Sequence, residues 1–180
     1  MLQLRKQTAG PVLRWQAMAA CAQYDVFSSC ELYNPATNAW TTTGAMHDAR
    51  WWHRAAVLPS GNVLVAGGIA PNPVPCFNYT LCSPFLTLNT SEIYSPATGT
   101  WTQAAQMPYA CYLQSMVTLP TGLVLVTGGF GVDPDNPIYD DMINGTLLYN
   151  ETADSWTATG PLALYDDENI VQQTAVVFSA

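Results

Sequence analysis

Arg50-Trp51-Trp52-His53 places a guanidinium, two indoles and an imidazole within four consecutive residues. Adjacent aromatics beside Arg and His could stack a flat ligand such as a sugar ring, or complete a metal site with ligands from elsewhere. The plainer alternative is that Arg50 and His53 hydrogen-bond neighbouring loops and serve structure alone. A second group, Asp133, Asp135, Asn136, Asp140 and Asp141, gathers carboxylates that could hold Ca²⁺. Its spacing is not that of a D-x-D-x-D-G loop with a distal Glu, so a solvated acidic loop is the better reading. His47 and His53 are the two histidines of the chain. No Ser/His/Asp arrangement and no Gly-rich phosphate loop stands out, so the stretch reads as a binding unit rather than a catalytic one.

Cysteine and asparagine chemistry point to a compartment. The cysteines are Cys21, Cys30, Cys76, Cys82 and Cys111. Cys76 and Cys82 lie in the proline-flanked run PNPVPCFNYTLCSP, with no further Cys or His at metal-ligand spacing, which favours a loop disulfide. Cys21 with Cys30 could form a second bond, leaving Cys111 unpaired. Asn78, Asn89, Asn144 and Asn150 each begin an N-x-S/T sequon. Ten asparagines would give about one or two such sequons by chance. Together these features favour an extracellular or secreted protein that is N-glycosylated and disulfide-bonded, with Asn78 and Asn89 the first sequons expected to be used. The start, MLQLRKQTAGPVLRW, is basic but lacks an apolar signal core, so a secreted protein is expected to carry sequence before it.

Charge narrows the partners. The net charge is −8, and all five basic residues lie before position 55. From Ala55 onward there are ten acids and no Lys or Arg, a surface that repels phosphate and excludes nucleic acid as a partner class. No apolar run approaches the ~18 residues of a membrane-spanning helix.

The elements that must position these residues are repeated. Tyr33 to Trp40, Tyr94 to Trp101 and Tyr149 to Trp156 are each seven residues apart. Trp40 to Gly67 and Trp101 to Gly128 are each 27 apart. Each unit reads as four short strands, a to d. NVLVAGG and LVLVTGG are apolar b strands before the pairs Gly67-Gly68 and Gly128-Gly129, which are expected to end them. PSGN and PTGL read as tight a–b turns, PATN and PATG as c–d turns. Residues 1–28 match no repeat. The rest divides into a partial blade (29–42), two blades (53–103 and 113–158) and the start of another (172–180). Four-stranded units apolar on both faces must stack on copies of themselves, which predicts an all-β fold of the β-propeller type with partial blades at each end. The markers of the repeat are thus Tyr33, Trp40, Tyr94, Trp101, Tyr149 and Trp156.

At these residues the chain resembles the Kelch-repeat β-propeller family: the double glycine after an apolar strand, the Tyr and Trp seven apart, and the Met46-His47-Asp48-Ala49-Arg50 to His53 linker. The resemblance is strong over about residues 30–130 and partial over 145–178. It implies that the six repeated Tyr and Trp pack as core between blades, and that six or seven blades close the ring, of which this chain would supply roughly half, so other blades or chains would cover its open faces. ARWWH…LPSGNVLVAGG also resembles, more weakly, the propeller of secreted galactose and glyoxal oxidases, which implies copper and a Cys–Tyr radical. That site needs two Tyr and two His, and this chain has no Tyr-His dipeptide.

Alternating strands put the a–b and c–d turns on one face and the b–c and d–a connections on the other. Every long connection (69–90, 103–112, 130–144 and 158–171) falls on that second face, where binding is expected. Three functional readings follow: an extracellular propeller recognising protein or glycan through the long loops, the propeller part of a copper-radical oxidase with its ligands outside this chain, or a structural subunit of an extracellular filament or coat. No bound cofactor is expected apart from the Ca²⁺ alternative at Asp133, Asp135, Asp140 and Asp141.

Overall fold

The protein is seen in a computed structural model that describes residues 12–15, 26–73, 83–133 and 136–161. All elements among them are strands: fifteen, and every pairing is antiparallel. Two four-stranded sheets are complete blades. One is ordered β4 (Arg54–Val57), β5 (Val63–Ala66), β8 (Ser91–Ser95), β9 (Thr100–Ala104). The next is ordered β10 (Ser115–Thr118), β11 (Val124–Thr127), β14 (Thr146–Asn150), β15 (Ser155–Ala158). The chain is thus a partial β-propeller, as the repeat predicts.

The first blade is larger than its sequence suggests. Its c and d strands are β2 (Cys30–Asn34) and β3 (Ala39–Thr43), and β1 (Val12–Trp15) adds on as strand b. The register places Val12 opposite Tyr33, as Val63 lies opposite Tyr94 and Val124 opposite Tyr149. This strand falls in the unassigned stretch 1–28. Four residues without a double glycine behind them carry no repeat signature of their own.

The double glycines bend the chain rather than ending its pairing. All four have φ between +62° and +98°, a region costly for residues with a Cβ. Past each bend a second hairpin begins: β6 (Ile69–Pro71) with β7 (Phe85–Thr87), and β12 (Phe130–Asp133) with β13 (Asn136–Met142). The acidic stretch expected as a solvated loop therefore lies largely in a strand, with Asp140 opposite Val132 and Asp141 opposite Gly131. Asp135 lies outside the described residues.

Blades are joined by the repeated Tyr and Trp. The two lie directly opposite in each c–d pair, with ring centroids 5.0, 5.1 and 4.9 Å apart. Trp101 Nε1 donates to the Gly44 carbonyl and Trp156 Nε1 to that of Ala105, each 2.9 Å away at the end of the preceding blade's strand d. Trp101 is thereby 6% exposed. Trp40 departs from the expected core role: at 41% exposed it lies on the outer face of the first blade.

The space between first and second blades is filled by Cys30, Met46, Val65, Tyr94 and Trp101. Cys30 is a free thiol among the described residues, its Sγ donating to the Ser28 carbonyl at 3.4 Å, and Cys21, its expected partner, lies outside them. The side chain is fully buried in the interblade core, and burial pushes its pKa up to about 11. Cys111 is also free and buried, pushed up to about 12 by the same cause. Cys21, Cys76 and Cys82 lie outside the described residues, as does Asn78.

Candidate aromatic site on the long-loop face

Of the tetrad Arg50-Trp51-Trp52-His53, Trp52 is the one exposed member. Arg50 is inward, its side chain wholly buried. Nη1 donates to the carbonyls of Gly67 (2.9 Å) and Thr90 (3.0 Å). Nη2 reaches Glu92 Oε1 (2.9 Å), Thr90 Oγ1 (3.0 Å) and Asp48 Oδ2 (3.3 Å). Glu92, equally buried, accepts from the backbone N–H of His47 (2.7 Å) and Asp48 (3.1 Å), and pairs with His47 Nδ1 at 2.9 Å. Burial alone would raise the Glu92 pKa, but these hydrogen bonds outweigh it and hold the carboxyl below its usual range. Arg50 therefore locks the loop 46–50 to strands β5 and β8 and cannot meet a ligand.

His53 is inward as well. Burial, reinforced by Arg50 and Arg54, lowers its pKa from 6.5 to about 4, so the ring is neutral near pH 7. The next repeat has Gln114 at this position, buried, with Nε2 donating to the Ala66 carbonyl at 2.8 Å. The pH dependence follows. Below about 6.5 the unfolded chain takes up a proton that folded His53 refuses until about 4, so stability falls as pH drops through that window. The denaturant midpoint is expected to fall less between pH 7 and pH 4.5 in His53→Gln than in the parent. Equal shifts would remove His53 as the cause.

Where the backbone turns, Trp52 reaches the surface while Trp51 is half-buried with its indole Nε1 inside. Trp51 exchanges hydrogen bonds with Ile69 across the bend, N to O at 3.0 and 2.9 Å. Tyr112 does the same with Phe130, at 2.8 and 2.9 Å. Trp52 follows at φ +55° and Leu113 at φ +56°, and the Leu113 N–H donates to the Trp52 carbonyl at 3.0 Å, tying one blade to the next. A Trp held at positive φ is uncommon, and the position recurs in both repeats.

The result is a row of five rings. Phe85 to Trp51 is 5.3 Å between centroids, Trp51 to Trp52 is 4.9 Å, Trp52 to Tyr112 is 5.6 Å and Tyr112 to Phe130 is 5.7 Å. Trp52 and Tyr112 are stacked at 18°, Tyr112 and Phe130 at 25°, while Trp51 meets Trp52 edge-on at 68°. Each ring is at least half-buried or exposed and none is fully buried; Trp52 is 48% exposed. The sequence singled out Trp51 and Trp52 but missed Phe85, Tyr112, Phe130 and Glu92. The available signal was the repeat offset: Trp51 and Tyr112, like Ile69 and Phe130, are 61 residues apart.

Among the described residues no group of three or more His, Cys, Asp or Glu could hold a metal ion. His47 Nδ1 pairs with Glu92 at 2.9 Å and the His53 ring lies inside the fold. No helix among the described residues is long and apolar enough to cross a membrane.

No protein-family profile matches the chain, and no curated protein matches its sequence. Solved structures do match its fold. A fungal alcohol oxidase of the AA5 family, in complex with copper, is 17% identical with a TM-score of 0.50, over 74% of this chain and 24% of that one. YjhT is 18% identical with a TM-score of 0.59, over 77% of this chain and 46% of that one. Identities this low establish a shared propeller-type fold. The chain spans less than half the length of either structure.

Proposed function

We propose that the chain is part of a secreted, N-glycosylated Kelch-type propeller that recognises protein or glycan through its long-loop face. The observation that carries this reading is the aromatic row, which crosses from one blade to the next on that face. On the opposite face Ser60 of one short turn hydrogen-bonds Glu151 of another. An exposed aromatic cluster at the end of a rigid scaffold is a common mark of an interaction site. In the same reading, other blades or chains cover the face that bears Trp40. For the glycans, Asn144 and Asn150 are exposed, whereas Asn89 is half-buried with Nδ2 donating to the Met107 carbonyl at 3.3 Å. That geometry favours Asn144 and Asn150 over the Asn89 expected first.

The test compares the parent, Trp52→Ala and Thr98→Ala, the last on the short-turn face, for retention on immobilised extracellular polysaccharides and secreted proteins. Trp52→Ala is expected to lose retention and Thr98→Ala to keep it. Equal retention by all three would overturn the reading. The likeness to the copper-bound alcohol oxidase supports a second reading, an oxidase propeller with its metal ligands outside this chain. Copper analysis with an alcohol-oxidation assay separates the two.

A further inference from the structure

The geometry points to neutral carbohydrate chains, lying along Trp51, Trp52 and Tyr112, as the ligand of the long-loop face; this rests on the recognition reading above and narrows it. Three observations select that chemistry. The first is the form of the surface. The rings pack on one another and stay partly exposed, Trp52 most of all, so a ligand must offer apolar C–H groups to them while its other edge remains in water. A pyranose does this, with C–H groups on its faces and hydroxyls around its rim.

The second observation is charge. Arg50, next to the row in sequence, has its guanidinium wholly buried, with Nη1 and Nη2 both committed to protein acceptors. Arg54 directs Nη1 to the His53 carbonyl at 3.3 Å, and no Lys or Arg follows it in the chain. With a net charge of −8, carboxylated, sulfated or phosphorylated ligands are repelled rather than held. The third is extent. Steps of 4.9 to 5.7 Å carry the row across two blades, a repeat comparable with one hexose residue, so an oligomer gains contacts that a monosaccharide lacks. A row anchored on two blades through the Leu113–Trp52 hydrogen bond is also pre-positioned, which lowers the ordering cost of binding.

Calorimetry and tryptophan fluorescence would follow titration of the protein with neutral hexaoses of glucose, mannose, galactose and xylose, with their monosaccharides, and with a polyuronate. At least one neutral hexaose is expected to bind, more tightly than its monosaccharide, and the polyuronate not to bind. Trp52→Ala and Tyr112→Ala are each expected to weaken binding about tenfold or more, Trp52→Phe to keep most of it, and Phe27→Ala, exposed but outside the row, to leave it unchanged. Unchanged melting of Trp52→Ala shows that the loss is one of contact. Binding of the polyuronate alone, or equal affinity in Trp52→Ala, overturns the proposal. If no neutral hexaose binds while a secreted protein is still retained through Trp52, the carbohydrate assignment fails and the recognition reading stands.

Discussion

Arg50→Cys is expected to destabilise the protein by about 3–5 kcal/mol, and adding Glu92→Leu is expected to return a substantial part of that loss. The single change strands a buried carboxylate that now relies on Arg50, two backbone N–H groups and His47. It also removes the donors to the carbonyls of Gly67 and Thr90. The choice of Cys and Leu comes from the protein itself. One repeat later, Cys111 stands where Arg50 does and Leu147 where Glu92 does, and both are buried in an apolar cluster with Ala66, Met107 and Val126. The same backbone position thus tolerates an ion pair at one blade and a thiol against a leucine at the next. An ion pair taken from water gains little over apolar groups of similar volume, whereas half a pair is costly. Urea unfolding of the parent, both single variants and the double variant gives the coupling energy directly. Singles that add without coupling would show that Arg50 and Glu92 act independently.

What was legible in the sequence was whatever the repeat states locally. Tyr94 and Trp101 face each other because they flank a short turn, and a seven-residue spacing announces that. Gly61 and Gly122, at φ +87° and +86°, close the two a–b turns in the same way. Strand β1 was not legible, because VLRW gains its meaning only from pairing with β2. Nor was the row of rings. Phe130 meets Tyr112 only because the double glycine turns the chain out of the blade, and a substitution of Ile69 by Phe130 between repeats looks conservative on paper. Arg50 carried the opposite difficulty. An Arg beside two tryptophans looks like part of a binding site, and only its five acceptors, one of them 42 residues away, show that it faces inward.

The double glycines gate the site as well as the fold, and this sets the last expected result. Gly68→Ala and Gly129→Ala are each expected to cost about 3 kcal/mol or more, against about 1–2 kcal/mol for Gly61→Ala. All three glycines have positive φ: +98°, +92° and +87°. The backbone conformation therefore penalises a Cβ at each to a similar degree. The surroundings differ. At Gly61 a Cβ would meet nothing within 4 Å. At Gly68 it would lie 2.6 Å from the Trp51 carbonyl oxygen, and at Gly129 2.5 Å from that of Tyr112 and 2.7 Å from the Gln114 N–H nitrogen. Those atoms are main chain and cannot rotate aside. Relief requires the Trp51 or Tyr112 strand to move away, which breaks the reciprocal hydrogen bonds to Ile69 or Phe130. The excess over Gly61→Ala thus measures the close approach alone. The near-ultraviolet circular dichroism of Gly68→Ala and Gly129→Ala should change with it, because the rings ride on the displaced backbone, while that of Gly61→Ala should not. Equal costs at all three positions would mean that the bend tolerates a side chain and that the glycines serve only their φ.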